Sequence, residues 1–569
     1  MSEVSRRRFL GAAGTAVAAI ATGPGTRALA LPAQAAQARP PAEGTLALVN
    51  GRIHTMDAQG TVANAVSIRN GRFATVGTAP PPGPDVRVMD LRGRTVVPGI
   101  IEAHVHGVGM SHRPGYHVAA LENTSSIREV QEMLAARRPA VPEGAWITAM
   151  GGWHTNQWAE HRPPTRQELD EAVPDRPVLL LFGFIGPCVT NSLGKKLFDA
   201  ADAAPPVHPA ITPVAAADDG SIAAAVLGKG GPTMSALYHL RRNQTFEDKT
   251  RNTIDAMAYS ASVGVTAWLD QVLLPWPGPL HPHQGLANID HYTLYDPWLA
   301  LHREGRTLIR LQMNFLHDQN DPELPELKER LRNQFPLFGD DMLMTGGIGE
   351  WAAPLGAGKV WFESQRLVAQ AGWRNNNSPG NLKTLVQVVD AYEAVNKEFG
   401  ITALRWSAHH VPEVTVELLT RLQKLGCGVT MGANRWVTSS DPKVVAGPQF
   451  RTIVDQGLPA GIEGNGTHIA PLNPWLHMYY ATTGVNSFGA QVNPGQHLTR
   501  AEALRIYTRG NSWFLNMEDR LGSIEPGKLG DLVVLDRDYF AVPDVELKQI
   551  RSVLTVVDGR IVHDAGVVA

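Results

Sequence analysis

The sequence predicts an α/β protein: a (β/α)8 TIM-type barrel inserted in a small β-sandwich built from both chain ends. Three observations predict it. Both ends read as short β-rich runs broken by tight-turn dipeptides, and the long middle alternates strand-like runs with amphipathic helices. The first strand of that middle ends in a histidine pair, at the strand end where such barrels keep their chemistry.

The ends come first. "TLALVNGRIHTMD", "AVSIRNGRFATVG" and "RVMDLRGRTVVPG" fill residues 45–97, with Asn50-Gly51 and Asn70-Gly71 supplying hairpin turns. The same texture returns in residues 516–569, in "GDLVVLDRD" and "SVLTVVDGRIVHD", where Asp558-Gly559 is another such turn. Because the last strands look like the first, the simplest arrangement joins them in one sandwich. The barrel then occupies residues 98–515. Its strand candidates include "WITAMGG", "PVLLLFGF", "VTAWLD", "LIRLQMNFL", "LRWSAHH" and "GCGVTMG". Between them, "DAYEAVNKEFG" and "VPEVTVELLTRLQKLG" repeat apolar residues at three and four, as helices with one buried face do.

Residues 1–38 stand apart. Arg6 and Arg7, then Phe9 and Leu10, precede an Ala-rich stretch and small-residue sites such as Ala33-Gln34-Ala35. This resembles a twin-arginine export signal, which implies the twin-arginine export machinery as a partner and a periplasmic or extracellular destination. The apolar run is too short and too rich in Ala and Gly for a stable membrane span. Residues 39–44 form a linker. With a net charge of -3 and 18% charged residues spread along 569 positions, the chain has no basic footprint for a nucleic-acid partner. Only Cys188 and Cys427 occur, too few for a disulfide framework or a thiolate zinc site, and both are expected to be buried and reduced.

His104 and His106 in "GIIEAHVHG" stand two apart on a strand, so their imidazoles leave one face and can share a metal. "VVPGIIEAHVHG", "SVGVTAWLDQ", "APLNPWLHMYYA" and "LTRAEALRIYTRGNSWFLNMEDRLGSIEPGKLGDLVVLDRD" resemble the amidohydrolase superfamily, and within it amidohydrolase family 3, the branch with N-substituted formamide deformylases. The resemblance implies hydrolysis of a C–N bond in a small molecule, an amide or formamide, by a water activated on a divalent metal. It places His104 and His106 as ligands and aligns His410 with the strand-six histidine. His409, beside it, should point away as a packed residue, since strand neighbours face opposite sides. The strand-five histidine is replaced by Ser378 and the strand-eight aspartate by Gly466.

These departures leave room for one ion, with zinc the metal the ligand types favour. Glu350 is the candidate third ligand, with Glu463 the alternative, and Glu463 and His468 are candidates for the catalytic proton transfers alongside His410. An alternating strand would nevertheless aim Glu463 away from the lost aspartate's direction. Trp153, His154, Trp158 and Asn377 are candidate substrate contacts. A homodimer is expected by analogy with relatives. Two alternatives stand beside hydrolysis: metal-independent chemistry using His410, His409 or His468, and a catalytically silent protein that binds a small ligand in the old pocket.

Overall fold

The computed structural model describes residues 44–81, 83–183, 186–205, 211–226, 230–271, 294–318, 320–437, 447–466 and 470–568. The export segment, the linker up to residue 43 and His468 lie outside the described residues.

Strands from both chain ends share one six-stranded sheet. Its order is 560–564, 552–557, 532–535, 95–98, 52–54, 62–63, and Leu532 pairs antiparallel with Pro98 and Val533 with Val97. A four-stranded sheet in the order 72–76, 66–69, 45–49, 86–90 faces it, and the two share a core that includes Leu48, Ile53, Ile68, Val96, Leu532, Val534 and Leu554. The hairpin turns form at Asn70-Gly71 and Asp558-Gly559, all four residues at positive φ. That is the backbone a two-residue turn between right-twisted strands requires. In "LVVL", Leu532 and Val534 enter this core while Val533 and Leu535 enter the large central one. A continuous apolar run is what a strand buried on both faces needs.

Eight strands of the middle run parallel to their sheet neighbours: Ile100–Val105, Val265–Gln271, Arg310–Phe315, Leu343–Ile348, Asn376–Asn377, Ser407–Ala408, Gly428–Gly432 and Ala460–Glu463. They are called the first to eighth parallel strands below. Among the described residues they are hydrogen-bonded as two four-stranded sheets rather than as one closed ring, and an isolated parallel bridge, Ile348 to Asn375, joins the two.

Helices cover the outer face of these strands. Leu382–Phe399 starts at Asn381, whose side chain accepts the Thr384 N–H, and ends at Gly400 at φ +73°; it buries Leu385, Val388, Val389, Tyr392 and Val395, one stripe at helical spacing. Val416–Lys424 starts likewise at Thr415.

One expectation is corrected. "WITAMGG" and "PVLLLFGF" do not belong to the parallel-strand series: Ile147–Met150 and Val178–Leu181 lie in a separate five-stranded mixed sheet with residues 116–117, 188–190 and 221–222. This sheet has its own apolar clusters and interrupts the alternation between the first and second parallel strands. Short apolar runs carry no periodicity that says which sheet they join.

A buried ion pair ties the parallel strands to the terminal sheet. Arg310, on the third strand, donates from Nε and Nη2 to the two carboxylate oxygens of Asp531 at 2.8 and 2.7 Å. Among the described residues no helix is long and apolar enough to cross a membrane. Both cysteines are free and buried, and burial pushes the Cys188 thiol up to about 12.

Candidate active site

The C-terminal ends of the first, fourth, sixth and eighth parallel strands bring six ionisable side chains together. His104 and His106 leave one face of the first strand and are buried. The His106 Nδ1 lies 2.6 Å from the Gln271 carbonyl oxygen, which can only accept, so the ring hydrogen sits on Nδ1 and Nε2 keeps its lone pair. That Nε2 is 3.7 Å from one oxygen of Glu350, and the other oxygen of Glu350 is 3.3 Å from the His410 Nε2. Glu463 closes the group. It takes the Thr430 hydroxyl hydrogen at 2.6 Å and the His410 backbone N–H at 3.0 Å, its Oε1 faces the His410 Nδ1, and its Oε2 lies 3.6 Å from the His104 Nδ1.

His104, His106 and Glu350 each place one ligand atom within 4.8 Å of the others, and so do His104, His410 and Glu463. The shared residue, His104, is fully buried, and among the described residues its Nε2 has no hydrogen-bond partner. An orphaned buried imidazole nitrogen is costly unless something else occupies its lone pair. Neutral imidazole and carboxylate are also the donor types that suit zinc and its neighbours. The residues present therefore fit a divalent metal.

The electrostatics agree with imidazoles kept neutral on one side and charged on the other. Burial, reinforced by the neighbouring imidazoles, holds His104 well below its ordinary range. Burial also lowers His106, against the pull of Glu350. Burial opposes the charged form of His410 too, but Glu463 and Glu350 on either side overcome it and push the ring up to about 10. Glu350 and Glu463, despite the burial that works against their ionised forms, are held below the usual carboxylate range, chiefly by His410.

Two expectations about direction change. His409 is not merely packed: its Nδ1 is 2.9 Å from the His104 Nδ1 and 3.5 Å from Glu463, and its Nε2 is 2.9 Å from the Ser407 hydroxyl. His410 reaches the same cluster because its backbone turns to φ +55°, which breaks the alternation of the strand. Glu463, expected to aim away, points inward as the last residue of its strand. Gly466, in the place of the family aspartate, contributes only its carbonyl, which accepts the His106 N–H at 2.8 Å. Ser378 lies against Glu350.

The four candidate substrate contacts have other work. Asn377 is fully buried, and its amide is used by Trp361, Gln365 and Tyr392, on the helices outside the strands. Trp158 is fully buried and donates to the Thr124 hydroxyl, while Trp153 stacks on it with ring centroids 4.9 Å apart. The His154 Nδ1 accepts the Asn156 N–H and caps the short turn Thr155–Gln157. Asn377 and Trp158 are fully buried, whereas His154 is only half-buried. Sequence reasoning passed over Gln271, Thr430 and Glu102, whose contacts with the cluster depend on strand register that no local motif records.

A model of the amidohydrolase family matches residues 87–563, and the chain belongs to that family. It is 26% identical over 560 residues to the N-substituted formamide deformylase of Arthrobacter pascens, spanning 90% of this chain and 97% of the relative. Among solved structures it resembles a metal-dependent hydrolase from Pyrococcus horikoshii, with a TM-score of 0.57, 17% identity, and coverage of 88% of this chain and 99% of that one. It also resembles a triazine hydrolase variant, with a TM-score of 0.52, 14% identity, and coverage of 92% and 95%. These structural likenesses show a shared fold.

Proposed function

We propose that this protein hydrolyses a C–N bond in a small amide or formamide, using one divalent metal held by His104, His106 and Glu350. The observation that carries the reading is the buried Nε2 of His104, without a hydrogen-bond partner among the described residues, on the one residue that two three-residue ligand groups share. The likeness to a formamide deformylase over nearly its whole length supports the bond type. The eight parallel strands are taken as the wall of a barrel, closed between the eighth and the first by side chains rather than by a backbone ladder.

A divalent metal, when bound, polarises a carbonyl and lowers the pKa of water to about 7. The chain's own residues do the rest. Gln271 fixes the His106 tautomer through its carbonyl oxygen. Glu463, held by the Thr430 hydroxyl and the His410 backbone N–H, is the carboxylate placed to accept a proton from the attacking water. His410, between Glu350 and Glu463, carries a proton at a ring nitrogen and is placed to give it to the departing amine nitrogen.

The test is the metal content of protein purified without chelators or nickel resin, measured together with hydrolysis of N-substituted formamides. About one equivalent of zinc, iron or manganese is expected. His104→Ala should lose the metal and the activity together while keeping its far-ultraviolet dichroism. Chelator-resistant activity that disappears in His410→Ala would replace this reading with metal-independent acid–base chemistry.

A further inference from the structure

Among the described residues, the first-strand histidines and Glu463 sit on strands that no backbone ladder joins. His104 and His106 come from the first parallel strand and Glu463 from the eighth, and these two strands belong to different sheets. Side chains hold the seam together with one backbone hydrogen bond, from the His106 N–H to the Gly466 carbonyl at 2.8 Å. Asn511 donates from Nδ2 to the carbonyls of Ile101 and Ile462 at 2.5 and 2.7 Å, and its Oδ1 accepts the Ile462 N–H at 3.1 Å. One step further along the strands, the fully buried Glu102 crosses the same seam. Its Oε2 accepts the Gly464 N–H at 3.0 Å. Glu102 is two residues before His104, and Gly464 directly follows Glu463.

The other oxygen of Glu102 is also engaged. Tyr507 donates its hydroxyl hydrogen to Oε1 at 2.7 Å, and the His477 Nδ1 lies 2.7 Å from the Tyr507 oxygen, the two rings nearly parallel at 7°. The His477 ring thus backs the Tyr507 hydroxyl that meets Glu102. Tyr507 belongs to the π-helical turn Ile506–Gly510, and Asn511 begins the helix that follows it. Such turns re-aim side chains and recur at functional sites. The approach is also tight: a Cβ on Gly464 would stand 2.3 Å from the His477 Cε1, so only glycine fits there.

We infer that Glu102, held by Tyr507 and His477, is a positioning residue that sets the separation between Glu463 and the first-strand histidines, and through it the affinity of the site for a divalent metal, since His104 is the ligand both three-residue groups share and Glu463 completes the second. The inference rests on the metal reading above. Glu102 touches no substrate; it acts by fixing where Gly464, and hence Glu463, lies against the first strand.

The experiment is zinc titration of the purified apo-protein against a chromophoric chelator, with cobalt(II) visible spectra and thermal melts in parallel, for wild type, Glu102→Ala, Glu102→Gln and Tyr507→Phe. Residues that orient ligands typically change metal affinity about 10- to 100-fold, so Glu102→Ala should bind zinc weaker by that factor and shift the cobalt bands. Glu102→Gln keeps an oxygen for the Gly464 N–H and should stay within roughly threefold of wild type. A purely structural role would lower the melting temperature of both variants and leave the zinc affinity of the folded protein unchanged. Wild-type affinity in Glu102→Ala, or equal losses in the Ala and Gln variants, overturns the proposal. If Glu102→Ala does not fold, Tyr507→Phe decides: at least a roughly threefold weaker zinc affinity is expected, and an unchanged one overturns the proposal. A wild-type protein that takes up no zinc overturns the metal reading itself, a result distinct from a wild type that binds and variants that bind equally well.

Discussion

Removing Asp531 should show how firmly the terminal sheet and the parallel strands are joined. The Arg310 guanidinium and the Asp531 carboxylate are both almost wholly buried, with side-chain exposures of 2% and 3%, and they meet through two parallel hydrogen bonds. Arg310 also donates to the Asp341 carbonyl at 2.7 Å, and Asp531 accepts the Asp558 N–H at 2.9 Å, so the pair links the third strand to the last hairpin. Asp531→Ala would leave a buried guanidinium with the Asp341 carbonyl, the Met342 sulfur at 3.4 Å and a long 3.5 Å contact to the Asp558 carboxylate as its remaining acceptors. Breaking a buried pair from one side costs about 3–5 kcal/mol, because the remaining charge stays desolvated.

An unfolding entropy of about 2.1 cal/mol/K per residue over roughly 500 residues amounts to about 1 kcal/mol per degree, so the melting temperature should fall by about 3–5 °C. The effect should persist at high salt, since buried charges are weakly screened. Replacing both partners by apolar residues, Arg310→Met with Asp531→Leu, removes the stranded charge and should cost less than the single change. Melts followed by circular dichroism would measure all three proteins. The reasoning fails if Asp531→Ala melts within about 1 °C of wild type, or if the double variant falls as far as the single one.

Other tests are independent of that pair. Glu122 is buried, accepts the Tyr259 hydroxyl and the N–H groups of Leu472 and Asn473, and is pushed up to about 7 by burial. A carboxyl raised in the folded state holds its proton more tightly there, so its stabilising contribution is full below about pH 4.5 and fades as pH rises through about 7. Urea midpoints of wild type and Glu122→Gln should therefore diverge between pH 4 and 8 by about 3 kcal/mol, and parallel curves would contradict it. Gly464→Ala, with its Cβ driven into His477, should lower stability by about 1–3 kcal/mol; a variant as stable as wild type would mean that the loop gives way freely. For export, replacing Arg6 and Arg7 by Lys should retain the protein inside the producing cell, read by fractionation, and undiminished export would refute a twin-arginine route.

Much of this was legible in the sequence, and the failures have physical causes. The turn dipeptides and the alternating apolar runs at both ends specify local backbone, so the terminal strands were predictable from short windows; Asn50-Gly51, read as a hairpin turn, instead joins strands 45–49 and 52–54 of two different sheets. His104 and His106 were legible because a spacing of two on a strand fixes a common face whatever the partners do. Glu463 was misjudged because its direction was referred to a lost aspartate, whereas in the structure it is set by the register of the eighth strand against Thr430 and His410. His409 and His410 were treated as alternatives because regular alternation was assumed, and a single left-handed residue voids that assumption. Asn377 shows the same limit: its polar side chain faces outward into a network with Gln365 and Tyr392, a burial that no spacing rule announces. The inserted five-stranded sheet escaped because "VLLL" satisfies either sheet equally.

The antiparallel pairing of Leu532 with Pro98 closes a loop of roughly 430 residues. At a synthesis rate of about 5–20 residues per second, the strand Thr95–Pro98 waits roughly 20–90 s for its neighbour to be made. Throughout that interval an apolar strand has one bare edge, open to any other strand that meets it. The terminal sheet is therefore the last part of the molecule to be completed although half of it is the first to emerge, and a chain stopped short of residue 532 would carry that open edge permanently.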